Sequence, residues 1–264
     1  MARTAAKSQR WRWSLNVLDL FSGVGGLALG LERAGLSTVA FCERDEYARR
    51  VLARHWAGVP CYPDVCELTA DRLAADGVPR PDVIAGGFPC QDISFAGSGA
   101  GLAGERSGLW REFARLIGEL RPRFVLVENV AALLVRGIGD VLGDLSRIGY
   151  DAEWSVVSAC SVGAPHVRRR VFIVAYPDSI YGWPRVRDTA ARPERQVQTD
   201  DSLEGSRAGW RARMANPSEL YGGADGLPAG LDRNRGIGNA VVPQVAETIG
   251  RALMRANQGL GTAP

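Results

Sequence analysis

A cysteine beside a proline is the strongest chemical signal in the sequence. Cys90 lies in GGFPCQDIS (86–94), directly after an apolar run, Asp82 to Gly86, that is typical of a buried strand. Open α/β sheets bind ligands at the carboxyl ends of their strands, so a cysteine held there by Pro89 is a candidate nucleophile. Glu128 and Asn129 come at the end of a neighbouring predicted strand. The pattern therefore favours a reactive thiol over a buried structural cysteine.

A Gly-rich turn provides a second, independent signal. In DLFSGVGGLA (19–28), Gly23, Gly25 and Ala28 fit the pattern G-x-G-x-x-G/A between a predicted strand and a predicted helix. Glu43 follows about twenty residues later, where a carboxylate can accept both hydroxyls of a ribose. The pattern predicts a nucleoside cofactor, but it does not distinguish a dinucleotide from S-adenosylmethionine. A tight packing turn without a ligand is the alternative.

The elements around these signals alternate between strands and helices. From Leu15 onward, short apolar runs alternate with amphipathic stretches, which predicts an α/β domain with a mostly parallel sheet. Two later strands, Trp154 to Ala159 and Arg170 to Ala175, are joined by a short turn, so they are expected to be antiparallel and the sheet mixed. A last helix, Pro243 to Asn257, should dock one apolar face on the domain. The periodicity is lost between Pro177 and Asp232.

Composition excludes several classes of protein. The chain has 264 residues, 46% hydrophobic and 23% charged, which is typical of a globular protein and not of a disordered one. It has five cysteines, an odd number without a CxxC pair, and two histidines, so we expect neither a disulfide framework nor a metal site. No apolar run reaches the ~18 residues of a membrane span, and the first residues do not resemble a signal peptide. We expect a cytoplasmic protein, associated with the nucleoid of a prokaryotic or phage-infected cell.

Five blocks of sequence resemble the DNA (cytosine-5) methyltransferase family in order and spacing. They are DLFSGVGG, GGFPCQDIS, ENV, GAPHVRRRVFIVA and GNAVVPQVAETIGRAL, and together they extend over 15–256 except for the segment without periodicity. The resemblance implies a Rossmann-like methyltransferase domain that uses S-adenosylmethionine. It also implies a catalytic part at 15–176, a small target-recognition region at 177–232 and a C-terminal part, 233–257, that completes the catalytic domain.

The resemblance assigns catalytic roles to four residues. Carbon 5 of cytosine is too weak a nucleophile to attack a methyl sulfonium, so a thiolate, matched here by Cys90, must first add to carbon 6. Glu128 matches the carboxyl that protonates or hydrogen-bonds ring nitrogen 3, and Arg168 and Arg170 match an R-x-R pair that binds the cytosine carbonyl oxygen. Further substrate contacts are implied at Gln91, Ser94, Asn129 and His166. The family usually has glutamine where this chain has His166, which either takes over the hydrogen bonds or is structural.

The resemblance also implies a set of cofactor contacts. Glu43 should bind ribose, Asp64 should accept from the adenine amino group, and Val65 should donate its backbone amide. The other implied contacts are Phe21, Gly23, Gly25, Pro89, Leu109 and Asn239. For Leu109 a place in the core is an alternative, because it also fits the apolar face of its helix.

The predicted partner is double-stranded DNA, with a second subunit or a dimer as an addition because the recognition region is short. An RNA cytosine-5 methyltransferase of the same fold and an inactive DNA-binding relative remain alternatives, although Cys90, Glu128 and Arg170 are intact. A nicotinamide oxidoreductase would leave the PCQ, ENV and R-x-R blocks without a role. The target sequence, and whether a restriction system, a phage or an orphan gene encodes the enzyme, are not readable from the chain.

Overall fold

A mixed β-sheet forms the centre of the molecule. The computed structural model describes residues 14–89, 108–164, 167–178 and 240–260. In these ranges the sheet has seven strands in the order β3-β2-β1-β4-β5-β7-β6. The strands are β1 (Asn16–Leu20), β2 (Ser37–Cys42), β3 (Cys61–Tyr62), β4 (Val83–Gly86), β5 (Phe124–Val130), β6 (Tyr150–Ser158) and β7 (Arg169–Pro177).

Strand direction decides where a ligand can bind. Strands β1 to β5 are parallel, and β7 pairs antiparallel with both β5 and β6. The direction in which successive strands are added to the sheet reverses at β1, which has β2 on one side and β4 on the other. Such a reversal leaves a crevice at the carboxyl ends of the strands, where α/β sheets bind their ligands.

Helices cover both faces of this sheet. They are α1 (Gly26–Arg33), α2 (Glu46–His55), α3 (Ala70–Ala75), α4 (Gly108–Leu120), α5 (Leu133–Arg136), α6 (Ile138–Ile148) and α7 (Pro243–Leu260). Apolar residues of α4 and α6 pack on one face, in a cluster that contains Trp110 and Phe113. Apolar residues of α1 and α7 pack on the other. The resulting three layers are the arrangement expected of an α/β domain.

Helices α1 and α7 approach each other closely through glycines. A Cβ on Gly30 would lie 2.2 Å from the Pro243 carbonyl oxygen, and a Cβ on Gly26 would lie 2.4 Å from the Val241 carbonyl oxygen. Only glycine fits at this distance without movement of the backbone. The close approach brings the residues before α7 against the Gly-rich turn.

Most sequence predictions of the fold are confirmed. The mixed, mostly parallel sheet, the antiparallel pair β6–β7 and the docking of α7 are all present. The prediction omitted β3, α3, α5 and α6. Of the predicted recognition region 177–232, only Pro177 and Asp178 lie within the described residues. No helix among the described residues has the length and apolar character that crossing a bilayer requires.

Candidate active site

The Gly-rich turn after β1 has a backbone that ordinary residues rarely adopt. Phe21, Gly23 and Gly25 all have positive φ angles, of 54°, 54° and 86°. A Cβ on Gly25 would lie 2.6 Å from the Trp56 ring, whereas a Cβ on Gly23 would meet none of the described residues within 4 Å. The turn is thus packed from behind at Gly25 and open at Gly23, as a surface that receives a ligand must be.

Glu43 is fixed against this turn by two backbone amides. Its Oε2 accepts a hydrogen bond from the Gly23 amide at 2.7 Å, and its Oε1 accepts one from the Asp45 amide at 2.7 Å. A carboxylate oxygen has two lone pairs, so each oxygen keeps capacity for one further donor. The two hydrogen bonds therefore hold the Glu43 carboxylate, the group predicted to bind ribose, beside the turn in a fixed orientation.

A buried acid lies beneath the turn. The Asp19 side chain is fully buried on β1, and the Asp19 carbonyl oxygen accepts a hydrogen bond from the Ser22 hydroxyl at 2.6 Å. Burial, and then the nearby Glu43 carboxylate, raise the pKa of Asp19 well above its ordinary value, while the Ala28 amide at the start of α1 acts in the opposite direction. A carboxyl group in such a place favours its neutral form.

Residues predicted to contact the cofactor also come from the segment after β3 and from the start of α4. Asp64 Oδ1 accepts from the Cys66 amide at 2.9 Å, and Val65 is buried in the core cluster. Leu109, at the start of α4, is partly buried and packs against the same cluster. The Phe21 ring stacks on Phe113 with centroids 6.3 Å apart.

Glu128 and Arg170 form an ion pair at the end of β5. Arg170 Nε lies 3.1 Å from Glu128 Oε1, and the Glu128 side chain is only 11% exposed. Burial raises the pKa of Glu128, and the Arg170 and Arg168 guanidinium groups oppose that rise. The direction of this shift favours the protonated carboxyl group more than in an ordinary glutamate.

The arginines at the start of β7, with Arg168 just before the strand, alternate in exposure as extended backbone predicts. Arg168 and Arg170 are half-buried and Arg169 is exposed. Burial, together with the positive charge of Arg170, lowers the pKa of Arg168. The structure thus brings Glu128, Arg168 and Arg170 together, as the resemblance implies.

Asn129 and Gly87 connect β5 to the end of β4. Asn129 Nδ2 donates to the Phe88 carbonyl oxygen at 3.0 Å, and Asn129 is buried. A Cβ on Gly87 would lie 2.7 Å from Glu128 Oε2. The chain therefore leaves β4 in contact with the acid and amide of β5, and Pro89, which is exposed, is the last described residue before Cys90.

Several predicted site residues lie outside the described residues. They are Cys90, Gln91, Ser94, His166 and Asn239. No group of three or more His, Cys, Asp or Glu side chains in the described ranges could hold a metal ion.

Three residues near the site carry no role in the sequence-based predictions: Asp19, Gly87 and Arg115. Asp19 is an acidic residue within the buried apolar part of β1, and this placement alone could have indicated a functional role. The contact between Gly87 and Glu128 depends on the pairing of β4 with β5 and has no local signature. Arg115 has Glu112 and Glu119 at helical spacing, but its bonds to the segment after β3 are tertiary.

The chain is similar over most of its length to a known protein family. The model of the family described as C-5 cytosine-specific DNA methylase matches residues 15–204. The type II methyltransferase M2.BsuMI of Bacillus subtilis (strain 168) is 37% identical over 169 residues, 61% of this chain and 42% of the relative. M.BsuFI of Bacillus subtilis, also a type II methyltransferase, is 29% identical over 227 residues, 83% of this chain and 53% of the relative. The chain spans about half the length of these relatives.

Among solved structures, the Dnmt2 methyltransferase of S. pombe aligns with a TM-score of 0.61. The alignment covers 94% of this chain and 99% of that one, at 14% identity. At this identity the similarity shows the fold alone, and it agrees with the sheet described above.

Proposed function

The chain belongs to the C-5 cytosine-specific DNA methylase family, and we propose on that premise that it transfers a methyl group to carbon 5 of cytosine in double-stranded DNA. The observation that carries the proposal is the ion pair between buried Glu128 and half-buried Arg170, beside the end of β4. From there the chain continues directly to Cys90. An acid that can hold a proton, a guanidinium and a thiol are the groups that this reaction needs.

The residues around the Gly-rich turn fit S-adenosylmethionine, the methyl donor of this family. The turn is open at Gly23, and the Glu43 carboxylate stands beside it with free acceptor capacity. Asp64 supplies a second carboxylate for the adenine amino group, and Phe21 supplies an apolar ring. When bound, the cofactor supplies a methyl group on a positively charged sulfur.

The first step is assigned to Cys90 and Glu128. The Cys90 thiolate adds to carbon 6 and forms a carbon–sulfur bond, while the ring's electron pair shifts toward carbon 5. Glu128 donates a proton or a hydrogen bond to ring nitrogen 3, which makes that shift easier. Its raised pKa supports this role, because an ordinary glutamate would be fully ionised at neutral pH.

The second half of the reaction restores the enzyme. Carbon 5 takes the methyl group and then loses its proton to a base. The bond between carbon 6 and Cys90 breaks to return the thiolate, and ring nitrogen 3 gives back to Glu128 the proton it received. Arg168 and Arg170 stabilise negative charge on the cytosine carbonyl oxygen and on the thiolate. Gln91, Ser94, Asn129 and His166 complete the proposed substrate contacts, and Pro89, Leu109 and Asn239 the cofactor contacts.

Access to the target requires that the cytosine leave the duplex. Neither face of a stacked base is open to both a thiol and a sulfonium, so the base must be flipped out. We assign recognition of the DNA sequence to residues 177–232, and we propose that a second subunit or a dimer contributes because this region is short. The site of action is the cytoplasm, on chromosomal or phage DNA.

Methyl transfer from labelled S-adenosylmethionine tests the proposal. Wild-type protein and Cys90→Ser are incubated with duplex DNA and with transfer RNA, and methylated positions are read by sequencing. We expect 5-methylcytosine in DNA with the wild type and none with Cys90→Ser. Methylation of RNA alone would favour the RNA enzyme, and equal rates for both proteins would remove Cys90 as the nucleophile.

A further inference from the structure

We propose that Arg115 is a positioning residue for the cofactor, which fixes the segment containing Asp64 and Val65 against helix α4. The inference rests on the proposed function, because it takes that segment as the adenine end of the S-adenosylmethionine pocket. Arg115 itself would not touch the cofactor. It would act through the backbone that presents Asp64.

The Arg115 guanidinium joins the two elements directly. Its Nη2 donates to the Val65 carbonyl oxygen at 3.1 Å and to the Leu68 carbonyl oxygen at 2.8 Å. These carbonyls belong to the connection between β3 and α3, which has no regular structure to satisfy them. One side chain of α4 therefore holds a loop almost fifty residues earlier in the chain.

A single peptide unit connects Arg115 to Asp64. The Val65 carbonyl accepts from Arg115, and the N–H of the same peptide unit, that of Cys66, donates to Asp64 Oδ1 at 2.9 Å. Hydrogen bonds at both ends of one amide polarise each other and fix its plane. The orientation of the Asp64 carboxylate is thus determined through the bond that Arg115 makes.

Two carboxylates hold the guanidinium in this orientation. Arg115 Nε lies 2.7 Å from Glu112 Oε2, and Nη1 lies 2.5 Å from Glu119 Oε1. Glu119 also accepts from the Ala70 amide through Oε2 at 3.0 Å, which ties the first residue of α3 to the same cluster. The three side chains are about one-third exposed or less.

Lysine is not a substitute for this arginine. The planar guanidinium directs Nε and Nη1 toward two carboxylates and Nη2 toward two carbonyls, whereas an ammonium presents three donors from one point. The location also matters, because α4 carries Leu109 at its start and packs on the cluster that contains Val65. Loss of Arg115 should let the loop move relative to α4 without removing any core side chain.

The test measures S-adenosylmethionine binding by calorimetry on the full chain, with DNA binding and kcat measured separately. For Arg115→Lys we expect the Kd for the cofactor to rise about tenfold, while kcat at saturating cofactor and the Kd for DNA stay within about twofold. The matched control is Arg251→Lys, because Arg251 forms an exposed pair with Glu247 on α7. The control should leave all three values unchanged. Equal losses in cofactor Kd, DNA Kd and kcat would indicate general destabilisation and overturn the inference.

Two further variants keep the outcome decisive. Glu119→Gln preserves one acceptor and should raise the cofactor Kd by a few fold, so it carries the test if Arg115→Lys does not fold. Asp64→Ala removes the proposed contact itself. If Asp64→Ala weakens cofactor binding and neither Arg115→Lys nor Glu119→Gln does, the inference is wrong and the proposed pocket stands. If Asp64→Ala has no effect, the assignment of the pocket is wrong.

Discussion

Replacement of Gly87 by alanine should slow catalysis while leaving the cofactor pocket intact. The added methyl group would lie 2.7 Å from Glu128 Oε2 and 3.3 Å from the Glu128 carbonyl oxygen. Gly87 has no positive φ, so alanine fits its backbone without strain. The perturbation therefore acts on the Glu128 carboxylate and on little else.

The size of the effect follows from the space available. Ordinary van der Waals contact begins at 3.4 Å, so the carboxylate must retreat by about 0.7 Å. Its other oxygen lies 3.1 Å from Arg170 Nε, which limits the direction of that movement. Because a misplacement of ~1 Å in a catalytic group can cost ~100-fold in rate, we expect kcat to fall about tenfold or more.

The assay compares single-turnover methylation of a DNA duplex at saturating cofactor, together with thermal unfolding. Gly118→Ala is the matched control, since Gly118 is exposed on α4 and a Cβ there meets no atom of the described part of the chain within 4 Å. In a helix interior that change should stabilise the protein by about 0.5 to 1 kcal/mol and leave the rate unchanged. A wild-type rate for Gly87→Ala would refute the reasoning that the Glu128 position limits catalysis. An equal fall in both variants would refute it as well.

Three other predictions follow from the site. Glu43→Ala should raise the S-adenosylmethionine Kd about tenfold or more, because a charge-assisted hydrogen bond is worth about 1.5 to 3 kcal/mol; unchanged affinity by calorimetry would remove the ribose assignment. Asp19→Asn should change the pH dependence of unfolding. Because the pKa of Asp19 is raised in the native state, the native state binds more protons than the unfolded state between pH 3.8 and that raised pKa. The free energy of unfolding of the wild type therefore falls as the pH rises through this range. The free energy of unfolding of the variant relative to wild type should therefore increase with pH, and a parallel dependence in denaturant titrations would contradict the assignment. Exchange of residues 177–232 for those of a relative of known specificity should transfer that relative's methylation site, and an active chimera that keeps the original site would place recognition elsewhere.

The fold was predictable where local signals agree with the final packing. The strand of Asn16–Leu20, the Gly-rich turn and helix α1 follow from an apolar run, glycines at fixed offsets and helical periodicity. Strand β3 has only two residues, Cys61–Tyr62, and is too short to show alternation. Helix α6 contains Gly139 and Gly143, which weaken its helical signal although Val141 and Leu145 are buried.

The sequence predicts a set of site residues but not their geometry. Spacing alone connected Glu43 to the turn, and the structure places its carboxylate on the Gly23 amide. By contrast, the contact of Gly87 with Glu128 and the bond from Arg115 to Val65 join segments that are far apart in the chain. Such contacts are created by the order of strands in the sheet, which the sequence pattern did not determine.

The most direct test of the account is a covalent trap. A DNA duplex that contains 5-fluorocytosine at the target position is mixed with the protein and S-adenosylmethionine, and the product is digested and analysed by mass spectrometry. Fluorine cannot leave carbon 5 as a proton does, so elimination should stop and a DNA adduct on Cys90 should accumulate only when the methyl donor is present. Methyl transfer to ordinary DNA without any adduct on the fluorinated duplex, or an adduct on a different cysteine, would contradict the proposed mechanism.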